Sequence, residues 1–250
     1  MHYVLETHVH WTVIRYIKEV FMLGIITATI QEYTALGKIL PDAERVQAQA
    51  GMEFLVGELN GQKVVGVQAG IGKVSAAICA QVMIDRFSPD AIINVGVAGA
   101  LNPELHVGDI VISKDAAQHD FDTCFFGDSP GFISVINKIY FEANEKLKQA
   151  ADQAAEALQI PHRIGRIVTG DQFICNEEKK QWLIKQFQGD CTEMEGGAIA
   201  QACYMNEVPF VIIRAISDGA SDGAPMQYEE FVDLAAARAM QLIEKVTEYI

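Results

Sequence analysis

The chain has 250 residues, half of them hydrophobic, which is enough for one large α/β domain with a sizeable core. Its 19 basic and 33 acidic side chains give a formal net charge of −14. This balance argues against anionic partners such as nucleic acid or anionic membrane surfaces, whose binding depends on clustered Lys and Arg. The plainer explanation of the negative charge is that it keeps the protein soluble.

Residues 1–21 precede the first strand pattern and form a predicted N-terminal extension. Val9–Phe21 is largely apolar, but Arg15, Lys18 and Glu19 interrupt it. The segment has neither a basic n-region nor a small-residue cleavage site, so we expect no secretory signal. Two interpretations stay open: an added amphipathic helix, or an upstream extension of a chain that natively starts at Met22. We expect residues 22–250 to form a single domain.

From Met22 onward, short apolar runs alternate with helical patterns. The predicted strands are Gly24–Thr27, Lys63–Gln68, Ala91–Val97, Asp109–Ser113, Arg166–Thr169 and Phe210–Ile216, and the predicted helices are Lys73–Phe87, Asn137–Leu158 and Tyr228–Tyr249. Near-continuous apolar strands between helices predict an α/β fold, a three-layer αβα sandwich with a mixed, largely parallel central sheet. No apolar run reaches 18 residues, so we expect no membrane-spanning helix.

The five cysteines and six histidines are dispersed. An odd cysteine number without a C-x-x-C pair fits a reducing cytosol, so we predict a cytoplasmic protein. No Cys/His cluster has metal-ligand spacing, and we predict no metal site and no cofactor.

Polar residues end the last predicted strand. Parallel sheets bind ligands at the carboxyl ends of their strands, which places Arg214, Ser217 and Asp218 where a site is expected. Glu193 or Glu195 could reach the same edge from a predicted helix N-terminus.

Two Gly-rich turns are predicted at strand ends, Gly70–Gly72 and Gly96–Gly99. They could admit a ligand close to the backbone or serve helix packing. Neither continues as GK[ST], which excludes a P-loop.

Eight segments in fixed order carry a family resemblance. They are Gly24–Ala28 with Glu32, Ala69–Val74, Asn94–Ala100, Val107–Val111, His119–Asp122, Thr169–Ile174, Glu193–Gly196 and Arg214–Asp218. Together they resemble the 5′-methylthioadenosine/S-adenosylhomocysteine nucleosidases of the nucleoside phosphorylase superfamily. The resemblance runs from Met22 to the C-terminus. It implies a nucleoside phosphorylase-like fold, a nucleosidase domain over 22–250, and irreversible hydrolysis of the bond between adenine and a 5′-thioribose.

The resemblance implies three catalytic residues. Asp218 matches the acid that protonates adenine at N7, and burial in an apolar pocket would suit it to that task; the alternative is a helix N-cap. Glu32 matches the base that activates water on the opposite face of the sugar; the alternative is a solvated residue of a first helix. Arg214 matches a residue that helps to hold the water.

Other residues match positions that bind the ribose and the adenine. Glu195 matches the acceptor of the ribose hydroxyls, and Met194 matches an apolar contact at the sugar. Glu193, two residues away, is interpreted as structural. Backbone groups near Phe173 and Ile174 match the adenine site, with the Phe173 ring stacking on the base; the alternative is that Phe173 belongs to the core.

The 5′ pocket in this family is apolar and shared between subunits. Ile71 and Tyr228 match its own-chain wall, with Tyr228 standing where phenylalanine is frequent. Phe126 and Pro130 match a loop contributed by a partner. The resemblance therefore predicts a homodimer and a small-molecule nucleoside as the binding partners.

One position departs from the family pattern. Val97 stands where many relatives have a serine whose hydroxyl helps to position the water, and valine can neither donate nor accept. Ala98 and Gly99, which follow it, are predicted to contact the substrate. The departure leaves the rate and the exact substrate open.

Three other functions remain as alternatives. A purine nucleoside phosphorylase needs a phosphate site built from arginines and hydroxyls, for which this chain offers Arg214 but no arginine near Thr27–Thr29. A non-catalytic binding relative would have no need of the three acids Glu32, Glu195 and Asp218. Hydrolysis of a related adenosine-type nucleoside such as aminodeoxyfutalosine cannot be separated from the first reading by sequence.

Overall fold

The computed structural model describes residues 21–221 and 223–250, so the extension at 1–21 lies outside it except for Phe21. The described strands are β1 (Met22–Thr27), β2 (Glu44–Gln47), β3 (Glu53–Leu59), β4 (Gln62–Gln68), β5 (Ala91–Ala100), β6 (Ile110–Gln118), β7 (Tyr140–Glu142), β8 (His162–Thr169), β9 (Cys191–Glu193) and β10 (Phe210–Asp218). The α-helices are α1 (Ile30–Ile39), α2 (Lys73–Phe87), α3 (Glu145–Ala157), α4 (Glu177–Phe187), α5 (Gly196–Met205) and α6 (Ala224–Val246).

All six predicted strands and two of the three predicted helices are confirmed with small shifts. The helix predicted over Asn137–Leu158 is wrong in its first part, because Tyr140–Glu142 pairs with β6 as a strand. The Asn144 side chain accepts hydrogen bonds from Lys146 N and Leu147 N, so it caps α3 and fixes its start at Glu145.

The mixed α/β sheet is confirmed, but it is less parallel and less flat than predicted. Among the described strands, five pairings are parallel and five are antiparallel. Strands β5, β10, β6, β8 and β9 pair in a closed ring, because β9 returns to pair with β5. The sheet is therefore barrel-like at one end, and β1, β4, β3 and β2 continue it outward from β5.

Helices cover both faces of the sheet. Helices α1, α3 and α6 pack with apolar strand residues in one cluster, and α2 and α5 pack in a second. Alanines are four of the five buried residues of α3, which lets this helix approach the strands closely, whereas α6 buries four alanines together with five larger apolar residues. Among residues 21–221 and 223–250, no helix combines the length and apolarity needed to cross a bilayer.

A buried ion pair crosses the interior of the strand ring. Arg214 of β10 is 1% exposed and pairs with Glu193 of β9, although these two strands are not neighbours. The Arg214 guanidinium also donates to Asn94 Oδ1 of β5 at 2.5 Å, and Thr169 of β8 donates to Glu193. Burial would raise the pKa of Glu193, but the Arg214 charge and the hydrogen bonds from Thr169, Arg214 and Gly196 N outweigh it and lower the pKa.

We expect Arg214→Met to destabilise the fold by about 3–5 kcal/mol, because it leaves the Glu193 carboxylate buried without its counter-charge. The measurement is urea unfolding at pH 7. The pKa of Glu193 is lower in the folded state than in the unfolded state. The stability that the ionised Glu193 contributes to the wild type is therefore fully present above the unfolded pKa, and it is lost as the pH falls through the folded pKa.

The matched control is the double variant Arg214→Met with Glu193→Gln, which removes both charges and should recover part of the lost stability. A loss of less than about 1 kcal/mol in the single variant would contradict this account of the ring interior.

Candidate active site

One cavity of about 310 Å³ opens at the carboxyl ends of the strands, where ligands bind in α/β sheets. Its wall comes from the ends of β5 and β10 and from the segments that follow β1, β4 and β8. Ten predicted site residues line it: Glu32, Ile71, Ala98, Gly99, Phe173, Ile174, Met194, Glu195, Asp218 and Tyr228. Arg214, Phe126 and Pro130 are not part of this wall in the single chain.

Glu32 is held at the cavity by the start of α1. Thr29 and Glu32 form a reciprocal capping box, in which Glu32 Oε2 accepts from Thr29 N at 2.9 Å and from Ala28 N at 2.7 Å. Its other oxygen accepts from Val97 N at 3.1 Å. Glu32 is 2% exposed, so the alternative of a solvated helix residue is wrong.

The second predicted Gly-rich turn is part of strand β5, and its glycines make room for site side chains. A Cβ at Gly96 would lie 2.6 Å from Glu32 Oε1 and 3.2 Å from Arg214 Nη1. A Cβ at Gly99 would lie 2.8 Å from Asp218 Oδ1. The glycines therefore permit a close approach of the carboxylates to the strand, and they mark no turn.

Asp218 is the last residue of β10 and is buried. Its Oδ1 accepts from Ala220 N and its Oδ2 from Ser217 Oγ, both at 2.8 Å. Burial raises the pKa of Asp218, although these two hydrogen bonds oppose the shift. The alternative of a helix N-cap is wrong, because Gly223 precedes α6.

Glu195 faces the cavity from the residue before α5. Its Oε1 accepts from Gly72 N at 2.8 Å. Burial, and then the charge of Glu193, raise the pKa of Glu195 to about 8. Glu193 itself lies on β9, not on a helix. Its carboxylate pairs with Arg214, whereas the Glu195 carboxyl group accepts from Gly72 N.

The rest of the wall is mostly apolar. Tyr228 meets the Phe173 ring edge to face, with centroids 5.7 Å apart. Phe173 is 45% exposed and Ile71 is 61% exposed, so neither is a core residue and both stand at the cavity mouth. Burial and the nearby carboxylates raise the pKa of Tyr228, which keeps its phenol protonated at neutral pH.

Sequence reasoning placed some wall residues poorly. Thr29, Gln172 and Thr192 line the cavity but were not predicted as site residues. The T-x-x-E spacing of Thr29 and Glu32 is a capping-box signature that could have located this helix start. Gln172 lies in the family segment Thr169–Ile174, which could have located it, whereas Thr192 reaches the cavity only because β9 pairs with β5 and β8.

Three predicted residues stand outside the wall for different reasons. Arg214 lies behind it, engaged with Glu193 and Asn94. Phe126 is 80% exposed in the loop that follows β6, which also carries Pro130. In the described chain no lysine or arginine lines the cavity, and no group of three His, Cys, Asp or Glu side chains is placed to hold a metal.

Comparison with known proteins gives the chain relatives over nearly its whole length. A family model described as the phosphorylase superfamily matches residues 22–248. The 5′-methylthioadenosine/S-adenosylhomocysteine nucleosidase of Staphylococcus aureus (strain JH9) is 40% identical over 230 residues, which cover 92% of this chain and 100% of that protein.

Two solved structures are similar in fold and sequence. The nucleosidase of the same name from Neisseria meningitidis, in complex with methylthio-immucillin-A, has a TM-score of 0.89 and 34% identity, covering 92% of this chain and 100% of the other. A futalosine hydrolase mutant of Helicobacter pylori strain 26695 also has a TM-score of 0.89, at 28% identity and with the same coverage. With this identity over its full matched length, the chain belongs to the 5′-methylthioadenosine/S-adenosylhomocysteine nucleosidase family of the phosphorylase superfamily.

Proposed function

We propose that this protein is an N-glycosyl hydrolase that cleaves 5′-methylthioadenosine and S-adenosylhomocysteine into adenine and the corresponding 5-thioribose product. The observation that carries the proposal is that one cavity brings together three buried carboxyl groups, those of Glu32, Glu195 and Asp218, in different surroundings. Relatives that bear this activity in their names share 40% identity over 92% of the chain.

Asp218 and Glu32 divide the proton transfers between them. Asp218, whose pKa is raised by burial, donates its proton to adenine N7, so the base leaves as a neutral molecule. Glu32, fixed by three backbone N–H groups, takes a proton from the water that attacks C1′. Across the reaction one water is added to the broken bond, and the enzyme regains its starting protonation when the two carboxyl groups exchange protons with solvent.

The remaining residues position the sugar and the base. Glu195 accepts hydrogen bonds from the ribose hydroxyls, and its Oε1 is held in place by a hydrogen bond from Gly72 N. Met194 contacts the sugar. Phe173 stacks on adenine beside Ile174. Arg214 acts from behind the wall, where its charge holds Glu193 ionised and lies near the Glu32 carboxylate.

The remaining wall residues contact the 5′ group of the substrate and line its approach to β5. Ile71 and Tyr228 form the apolar 5′ side, and Ala98 and Gly99 let the nucleoside approach β5. The Val97 side chain gives the attacking water no hydrogen bond, so Glu32 carries this task with less help than in relatives with a serine.

The wall argues against phosphorolysis. In the described residues the cavity is lined by four carboxylates and no cation, and a phosphate dianion would need several charge-assisted donors there. Arg214 cannot serve, because Glu193 already neutralises it. A futalosine-type substrate is the second candidate, since a futalosine hydrolase shares the fold at 28% identity, below the 40% of the nucleosidase.

We expect adenine release from methylthioadenosine, S-adenosylhomocysteine and aminodeoxyfutalosine in a matched panel to favour the first two, at a rate that does not change with added phosphate. Asp218→Asn and Glu32→Gln should each lower kcat by roughly 10²–10⁴-fold while far-UV circular dichroism stays unchanged. A rate that rises with phosphate, with a sugar phosphate as product, would make the protein a phosphorylase.

We also propose a homodimer in the cytoplasm. Phe125 and Phe126 are 95% and 80% exposed, and the open mouth at Ile71 and Phe173 would be closed by such a loop from a second copy. All five cysteines are free, which fits a reducing compartment.

We expect Phe126→Asp to raise the dissociation constant of the dimer by roughly 30-fold or more, because a buried aromatic anchor is replaced by a charge. Light scattering across a dilution series measures this, and turnover should fall with the dimer fraction. Leu234→Asp, which places a charge at another exposed apolar residue, in α6, is the control. A fully active wild-type monomer at assay concentration would refute the dimer.

Residues 22–250 constitute the proposed nucleosidase domain, supported by the family match over 22–248. We expect a chain that starts at Met22 to fold and to release adenine at a rate comparable with the full chain. Thermal unfolding and the adenine assay test this, and loss of folding would show that residues 1–21 contribute to the domain.

A further inference from the structure

The start of α2 is held by two acids from other parts of the chain. Gly72 has a φ of +96° and provides no side-chain cap to the helix. Its N–H donates to Glu195 Oε1 at 2.8 Å, and the next N–H, of Lys73, donates to Asp171 Oδ1 at 2.7 Å. Carboxylates are favourable at a helix N-terminus, so the helix start is fixed by acids from two distant segments of the chain.

A third acid ties these pieces together. Asp120, at the end of β6, forms an ion pair with Lys73, with 2.5 Å between Oδ1 and Nζ and each side chain less than one-fifth exposed. Its other oxygen accepts from Asp171 N at 2.8 Å. Burial would raise the pKa of Asp120, but the bonds from Lys73 and the Asp171 N–H outweigh it, so the carboxylate stays ionised.

These contacts join two segments of the cavity wall and the loop that follows β6. Lys73 belongs to the turn that carries Ile71 and the Gly72 N–H. Asp171 starts the turn that carries Phe173. Asp120 begins the loop that contains Phe126. None of the three charged residues lines the cavity, so each can affect the substrate only through its neighbours.

On the basis of the proposed function, we infer that Asp120 and Lys73 are positioning residues, whose ion pair holds the Gly72 N–H against Glu195 and sets the turn of Phe173 beside it. This assigns to the pair a task at the ribose and base end of the substrate. A purely structural ion pair would stabilise the fold without tuning Glu195.

The charge on Glu195 reports this positioning. The ionisable groups that face it are Glu193 from β9, Arg214 from β10, Glu32 from α1 and Tyr228 from α6. Within the described residues, the Gly72 N–H is the one group that donates a hydrogen bond to the Glu195 carboxylate. If that donor moves away, the ionised form loses a partner and the pKa of Glu195 rises above its value of about 8.

The experiment compares Asp120→Asn and Lys73→Met with the wild type over pH 5.5–9.5. We expect KM for methylthioadenosine to rise roughly three- to tenfold with a smaller change in kcat. The acidic limb of kcat/KM, which follows ionisation of Glu195, should move upward by roughly 0.5–1 pH unit. Lys73→Arg, which keeps the charge, should restore most of both properties.

The matched control is Asp115→Asn, which breaks the Asp115–Arg166 ion pair. That pair is similarly sheltered, with bonds of 2.6 and 2.8 Å, and it lies away from the cavity wall. Asp115→Asn should lower thermal stability without changing KM or the acidic limb of the kcat/KM profile. If Asp120→Asn and Lys73→Met behave like this control, the inference is overturned.

Amide hydrogen exchange separates this inference from the proposed function. Exchange at Gly72 and Lys73 should accelerate in Asp120→Asn and Lys73→Met and stay unchanged in Asp115→Asn, whatever the substrate. If the wild type releases no adenine but exchange follows this pattern, the proposed function fails and the positioning role stands. If Asp120→Asn or Lys73→Met is folded and exchange at Gly72 and Lys73 is unchanged, the positioning role alone is overturned.

Discussion

The ion pair between Arg214 and Glu193 is the constraint on which the site depends. Two charges removed from water are stabilised by pairing with each other and by hydrogen bonds from neighbouring polar groups. Here β10 supplies the cation, β9 the anion, and β5 and β8 the additional polar partners. Strands β9 and β10 are not paired with each other, so closure of the ring is what brings Glu193 within reach of Arg214.

That pair also sorts the other carboxyl groups. Arg214 pairs with Glu193, and the pKa of the neighbouring Glu195 is raised first by burial and then by the charge of Glu193. Glu32 receives three backbone donors at a helix start, whereas Asp218 is held by two partners in a buried corner. Environment therefore gives acids of similar intrinsic strength different tasks, as general acid–base chemistry requires.

The cavity is polar at its floor and apolar at its mouth. Carboxylates from β10 and α1 and from the residue before α5 lie deep, while Ile71, Phe173 and Tyr228 form an open apolar rim. An adenosine with an apolar 5′ thioether matches this gradient. The rim and the loop around Phe126 both expose apolar side chains, which supports the proposed homodimer.

The sequence by itself determined the alternation of strands and helices, the family motifs and ten cavity residues, because apolar periodicity and short motifs are local signals. It did not determine the ring, the strand β7 inside a helical pattern, or the place of Arg214 behind the wall. Glu193 shows the reason: its sequence neighbours suggest a helix start, but pairing with β8 and β5 makes it a strand residue. Long-range pairing and buried charge decided these features, and both exist only once distant segments have met.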